Sequence, residues 1–261
     1  MAFPPERIVC LTEETVETLY LLGQSHRIVG VTGYAVRPAR VRKEKPRVGA
    51  FTSADVPKIF DLKPDLVLTF SDLQADIAAE VIRAGVQVLA FNQRSVAGIL
   101  DMIRALGALT GTAGKAHALC VEYQRRMQRL TALKRRFRPR VYFEEWDDPP
   151  ISGIAWVSEL IEIAGGEDVF AHLRHEQGAK ARILSHADII AAQPDIIIAS
   201  WCGKKVRPEM IAARPGWSHI PAVAQGRIYE IKSPLILQPG PAALTDGLDA
   251  IEAALWPEKE T

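Results

Sequence analysis

Phosphate loops, nucleophile elbows and paired cysteines are all missing from this 261-residue chain. There is no GxxxxGK[ST], no GxGxxG and no GxSxG, so neither nucleotide binding on a glycine-rich turn nor hydrolysis at a strand-to-helix serine is indicated. Three cysteines, Cys10, Cys120 and Cys202, lie far apart without a CxxC, which argues against a disulfide framework and for a reducing compartment. The start "MAFPPERIVCLTEE" has no basic region, apolar stretch or small-residue cleavage site. No apolar run approaches the roughly 18–20 residues that span a bilayer, so no transmembrane segment is expected. As it stands the sequence reads as cytoplasmic, or periplasmic if a leader has been removed. Charge excess is also missing: 32 basic against 31 acidic residues leave +1, no field that would call for nucleic acid or an anionic membrane. The densest basic runs, Arg37–Arg47 and Gln124–Arg140, read as solvated faces, since no exposed aromatics are interleaved with them.

What the chain does contain is a series of short β-branched runs alternating with helical patterns. "RIVCLT", "RIVGVTGY", "PRVGAF", "PDLVLTF" and "VQVLAF" are followed by "RVYFEEW", "PDIIIASW" and "GRIYEI". Fully apolar runs separated by helices read as parallel strands covered on both faces, an α/β fold. The pattern is written twice. "IFDLKPDLVLTFSD" (Ile59–Asp72) is answered by "IIAAQPDIIIASWC" (Ile189–Cys202), and "RIVCLTEETVETLYLLG" from Arg7 by "RVYFEEWDDPPISGIAWVSELIEIAGG" from Arg140. The offsets, 133 from Arg7 to Arg140 and 130 from Pro64 to Pro194, are similar and in the same order. Between the halves, Leu119, Tyr123, Met127, Leu130, Leu133 and Phe137 step by three or four after Thr112, a helix N-cap candidate. The expected organisation is therefore an N-terminal α/β lobe over 1–111, a connecting backbone helix over 112–137 and a C-terminal α/β lobe over 138–261. These are two Rossmann-like lobes with mostly parallel sheets, with a ligand cleft between them.

Ligands of open parallel sheets bind beyond the carboxyl ends of the strands. Those ends carry Glu13 and Glu14, Tyr34, Phe51, Phe70 with Asp72, and Phe91 in the first half. In the second half they carry Glu144, Glu145 and Trp146, then Trp201 with Lys204, then Lys232. Aromatics are only 7% of the chain, yet six recur at this one edge, which favours a flat apolar ligand. The alternative is that they cap the core of each lobe. "EEWDDPPISG" replaces the shorter "TEET" of the first half and is expected to overhang as a loop. Trp146 would stack, Glu144 or Glu145 would accept hydrogen bonds, and Pro149 and Pro150 would stiffen it. Alternation along the strand leaves open that one of the two glutamates is salt-bridged instead. Cys202 reads as a packed thiol, the histidines (including "HLRH", His172–His175) as surface residues, and no metal site is expected. A carboxylate-based hydrolase pairing Glu144 or Glu145 with Glu13 or Glu14 is the enzymatic alternative.

Taken in order, "RIVCLTEETVETLYLLG", "IVGVTGY", "RVGAFTSADVPKIFDLKPDLVLTF" and "ELIEIAGGEDVF" resemble the class III, helical-backbone solute-binding proteins of ABC transporters, over nearly the whole chain. The cobalamin-binding and iron-siderophore-binding members are the most similar. The resemblance implies binding without chemistry and no built-in cofactor, the ligand being a corrinoid or other metal chelate. It places the corrin-sandwiching role on Tyr34, Phe51, Phe70 and Trp146, with Trp201 beside them. Iron-siderophore or haem binding is the alternative on the same scaffold, with Lys204 and Lys232 supplying positive charge. The other partner implied is an ABC permease, docked through an acid on each lobe. Asp72 or Asp76 suits the first, whereas "SPLILQPGPAAL" (Ser233–Leu244) offers none on the second.

Overall fold

Apolar runs of the first half become four strands in the computed structural model, which describes residues 3–257. Met1, Ala2 and Glu258–Thr261, the outermost residues of the two expected lobes, lie outside the described residues. Strands β1 (Ile8–Cys10), β2 (Ile28–Val31), β3 (Leu66–Phe70) and β4 (Val88–Phe91) form a sheet in the order β2-β1-β3-β4. Every neighbouring pair is parallel, with Ile8 opposite both Ile28 and Leu66, and Phe70 opposite Phe91. Helices α1 (Glu13–Leu21), α2 (Val41–Glu44), α3 (Val56–Asp61), α4 (Ala75–Arg83) and α5 (Val96–Leu109) provide the connections. β1 and β3 are wholly buried, as central strands of a doubly covered sheet should be. Helix α3 begins at Asp55, whose carboxylate accepts the Lys58 N–H (3.1 Å), with Pro57 in the first turn where no donor is needed.

One unit of the chain comprises residues up to Gln93 with Ala97–Glu122, and the other Arg94–Val96 with Tyr123 onward. Helix α6 (Ala113–Thr131) contributes residues to both. It starts directly after Thr112 but stops six residues short of the expected Phe137. Its last turn closes with Leu133 N–H to Leu130 O (3.2 Å), and beyond it come Lys134, Arg135 and Arg136, three like charges in sequence. Pro139 then disfavours helical backbone at Arg138. In the first unit, α5 meets α6 at Gly107, where an added Cβ would come within 2.3 Å of the Ala116 Cβ. Gly107→Ala is accordingly expected to cost roughly 1–3 kcal/mol by overpacking, read as a lowered urea midpoint.

The second unit is built on β5 (Arg140–Asp147) and β6 (Pro150–Ser152), followed by α7 (Ala155–Ile163) and β7 (Glu167–Asp168). Then come α8 (His186–Ala192), β8 (Ile196–Ala199), α9 (Pro208–Ala212), α10 (Pro221–Ala224), β9 (Ile228–Glu230), α11 (Ser233–Ile236) and α12 (Leu248–Leu255). β5 runs parallel to β7 and β8, β8 parallel to β9, and only β6 is antiparallel. Helix α8 opens with a capping box between Ser185 and Asp188.

The repeat has a structural cause. Asp65 accepts the Arg7 N–H (3.0 Å) and returns its own N–H to Arg7 O; Asp195 makes the same exchange with Arg140 (2.8 Å each way). Arg7 then donates to Leu62 O, and Arg140 to Ala192 O. Lys63 and Gln193, the residues just before Pro64 and Pro194, both take left-handed backbone (φ 46° and 43°). Each Pro-Asp turn thus staples the end of a helix to the start of the lobe's first strand.

Two further expectations need correction. "PRVGAF" is not a strand: it makes only isolated bridges, Val31 with Arg47 and Gly49 with Ala54, because Gly49 at φ 156° breaks the ladder. The "EEWDDPPISG" overhang is not a loop but a β-hairpin, with Trp146 opposite Ile151 and Asp147 opposite Pro150.

Candidate functional site

Each unit carries its own set of strand-end residues. In the first, the Phe51 and Phe70 rings lie 6.5 Å apart at 46°. The buried amide of Gln74 holds them: it accepts the Phe70 N–H (2.9 Å) and donates to Phe51 O (2.7 Å) and Leu11 O (3.1 Å). Tyr34 is half exposed (50%), and its neighbour Gly33 donates to Gly49 O (2.6 Å), tying the Tyr34 turn to the Phe51 segment. Phe70 is buried and Phe51 partly so, which leaves Tyr34 as the open ring of the three. Ser71, directly after β3, has φ 56°, a strained value for a residue with a side chain, and its Oγ accepts the Leu73 N–H. Asp72 and Asp76 are exposed around the start of α4.

Glu13 and Glu14 follow β1 and are both buried. Burial, then the Glu14 charge, pushes Glu13 up to about 8. Burial pushes Glu14 up to about 7, opposed by hydrogen bonding to Thr12 and Gln93.

The second unit gathers five of its six expected residues on the hairpin and the loop after β8. Glu144 is wholly buried (0%) and is met by four donors. Tyr142 OH (3.1 Å) and Arg214 Nη1 reach Oε2; Trp201 Nε1 and Arg214 Nη2 (both 3.1 Å) reach Oε1. Burial pushes its carboxyl upward, and the Arg214 guanidinium pulls it back. Arg214 also donates to Asp147 O (3.2 Å) and stacks 4.6 Å over the Trp217 ring. Glu145, pointing the other way along the strand, pairs bidentately with Arg182 (2.7 and 3.1 Å), itself only 1% exposed and also bonded to Ser152 O. Both glutamates are therefore salt-bridged. Trp146 is half-buried, its Nε1 fixed to Asp148 O (3.1 Å). The Lys204 ammonium sits 5.5 Å from the Trp146 ring and 5.0 Å from the buried Trp201 ring, and is paired with Asp147. Lys232 is exposed just before α11. Cys202 is exposed rather than packed, and among the described residues no three His, Cys, Asp or Glu side chains cluster as metal ligands.

Sequence reasoning missed the residues that fix this arrangement. Gln74, Arg182 and Arg214 belong to no motif; only the Arg-Pro-Gly-Trp turn after α9 hints at the last. It also missed a cavity of about 230 Å³ in the second unit, lined by Arg94, Ile154, Glu159, Arg174 and His175. There Glu159 accepts the Val96 N–H (2.7 Å) and Arg174 is held by Glu162 (3.1 Å).

Two α/β units with aromatic strand ends, and hairpin acids already committed to arginines, describe a protein that holds a solute. The periplasmic binding protein family matches residues 8–235, and the chain belongs to that family. It is 26% identical to the uncharacterized ABC transporter substrate-binding lipoprotein YvrC of Bacillus subtilis, over 97% of this chain and 81% of that one. It is 24% identical to the vitamin B12-binding protein of Vibrio cholerae, over 96% and 88%. The periplasmic heme-binding protein RhuT of Roseiflexus superposes with a TM-score of 0.80 at 25% identity, covering 96% and 99%. No comparison favours the hydrolase alternative, and Glu144 and Glu145, one half of the pair it needed, are already held by arginines.

Proposed function

We propose that the chain binds a corrinoid and performs no chemistry on it. The carrying observation is the Trp146 ring on the hairpin with the Lys204 ammonium, from the loop after β8, over both it and Trp201: an indole face fixed through Asp147 and Asp148 rather than left to a mobile loop. In the first unit Tyr34, the open ring beside Phe51 and Phe70, would be the aromatic offered to a ligand. The vitamin B12-binding relative supports this ligand class. Haem or an iron-siderophore is the second reading, favoured by the exposed Lys204 and Lys232 as partners for an acidic chelate and by the likeness to RhuT. The relatives' names, lipoprotein and periplasmic, support work outside the cytoplasmic membrane rather than in the cytosol. Delivery to an ABC permease would use Asp72 or Asp76, both exposed. Among the described residues no helix is long and apolar enough to cross a membrane.

Cobalamin, cobinamide and haemin are added separately to the purified protein, which is desalted and scanned in the visible. Retention of a corrinoid spectrum in stoichiometric amount is expected; retention of haemin alone would transfer the assignment to the second reading. Trp146→Ala is expected to weaken binding by roughly 1–3 kcal/mol, about 5- to 150-fold in Kd.

A further inference from the structure

Between Gln124 and Arg140 the chain carries eight basic residues and no acid. Four of them are engaged. Arg126 pairs with Asp249, Arg135 with Glu252 and Arg140 with Glu167, while Arg138 donates to Gly166 O (2.6 Å). These contacts hold the segment against α12 and the turn after α7. The other four, Arg125, Arg129, Lys134 and Arg136, are exposed and have no acidic partner among the described residues. Arg125 and Arg129 are four apart, and Leu133 continues the same ridge past the end of α6.

The apolar members of this surface are the unexpected part. A purely solvated face has no exposed aromatics, yet here Phe137 is 62% exposed and Leu133 48%. Phe137 is an ordered ring, 5.6 Å from Trp256 in an edge arrangement, and Arg135 covers Trp256 at 4.3 Å. Uncovered apolar side chains ringed by cations are what an interfacial surface needs: the apolar groups enter the acyl boundary and the cations meet the headgroups. A nucleic acid would be met by aromatic faces and has no use for an aliphatic Leu133. The other basic run lacks this combination. Arg37 is paired with Glu17, Arg40 with Glu44, and Lys45 donates to Ile28 O, with no exposed large apolar residue among them.

We infer that the end of α6 and the segment to Phe137 form a docking surface for anionic phospholipid, independent of the solute site. The full chain is sedimented with phosphatidylcholine vesicles, with and without about one third phosphatidylglycerol, near 0.1 M salt, where surface charges still act over roughly 10 Å. Sedimentation with the anionic vesicles only is expected. Arg125→Gln/Arg129→Gln should lower the partition roughly 25-fold, about five-fold per cation removed, and Leu133→Ser/Phe137→Ser should lower it as well. Arg42→Gln/Lys43→Gln in the other run should leave it unchanged. All six positions are exposed, and because Phe137 also touches Trp256 the urea midpoint of each variant is matched to the parent before partition is compared. Absence of binding to anionic vesicles, or an equal loss with the Arg42/Lys43 pair, would overturn the inference. So would binding of duplex DNA that the arginine pair abolishes, joined to vesicle binding that ignores Leu133→Ser/Phe137→Ser, since the surface would then be a general polyanion patch.

Discussion

Arg214→Leu is expected to destabilise the second unit by about 3–5 kcal/mol, the cost of stranding a buried charge. Glu144 has no exposed surface and takes two of its four hydrogen bonds from this one guanidinium. Without it the carboxyl must remain ionised in a dry site or take up a proton, and Tyr142 and Trp201 remain as donors to a weaker acceptor. The double variant Glu144→Leu/Arg214→Leu removes the uncompensated charge along with the pair, so it should recover much of the loss. Urea unfolding of both variants decides the matter. If the double variant is no more stable than Arg214→Leu, the cost comes from lost packing of Arg214 on Trp217 and not from the charge. At the expected size the thermal midpoint falls by roughly ten degrees or more.

The second large effect concerns pH. In an unfolded chain Glu13 and Glu14 ionise near 4.5; in the folded first unit their values are about 8 and about 7. Between these limits the folded state holds protons that the unfolded chain has released, so rising pH favours unfolding. The stabilisation is complete below about pH 4.5 and is lost as pH climbs through 7 to 8. At about 1.4 kcal/mol per unit of difference the pair contributes several kcal/mol as an upper limit, because adjacent carboxyls titrate as a coupled set. Glu144, Glu159 and Asp168 are also pushed upward by burial and act with the same sign. The diagnostic quantity is therefore the difference between the parent protein and Glu13→Gln/Glu14→Gln. Urea midpoints at pH 5, 7 and 9 should fall steeply for the parent and much less for the variant, which becomes the more stable of the two at the alkaline end. Parallel profiles would mean that the pair ionises in the folded state at an ordinary pH.

How far the chain could be read without coordinates follows from the range of each interaction. Central strands such as "LVLTF" and "IIIA" are continuous apolar runs, and a sheet covered on both faces leaves them no other place. The paired Pro-Asp turns were legible as a repeat because the staple joins residues of fixed spacing, Arg7 with Asp65 and Arg140 with Asp195. "PRVGAF" misled because Val48 and its neighbours are apolar enough for a strand, while the φ of Gly49 is invisible in composition. At the hairpin, two prolines suggested a stiff loop. Yet Pro150 needs no N–H to sit opposite Asp147, and the strand simply runs on. The acids of "EEW" were conspicuous, but their purpose was not, because Arg182 lies 37 residues from Glu145 and Arg214 lies 70 from Glu144. Phe137 belongs to the same lesson. Its spacing fitted a helix face, and only the early end of α6 left it facing water.

The ribbon that carries Trp146 has a kinetic consequence. With its N–H bonded to Asp148 O and Lys204 over its ring, the indole has lost its freedom of movement by the time the chain has folded, so a guest that stacks there, as proposed, has little left to immobilise. Capture should then proceed at a rate set by encounter and orientation, and guests that fit unequally should differ in how long they stay rather than in how fast they arrive.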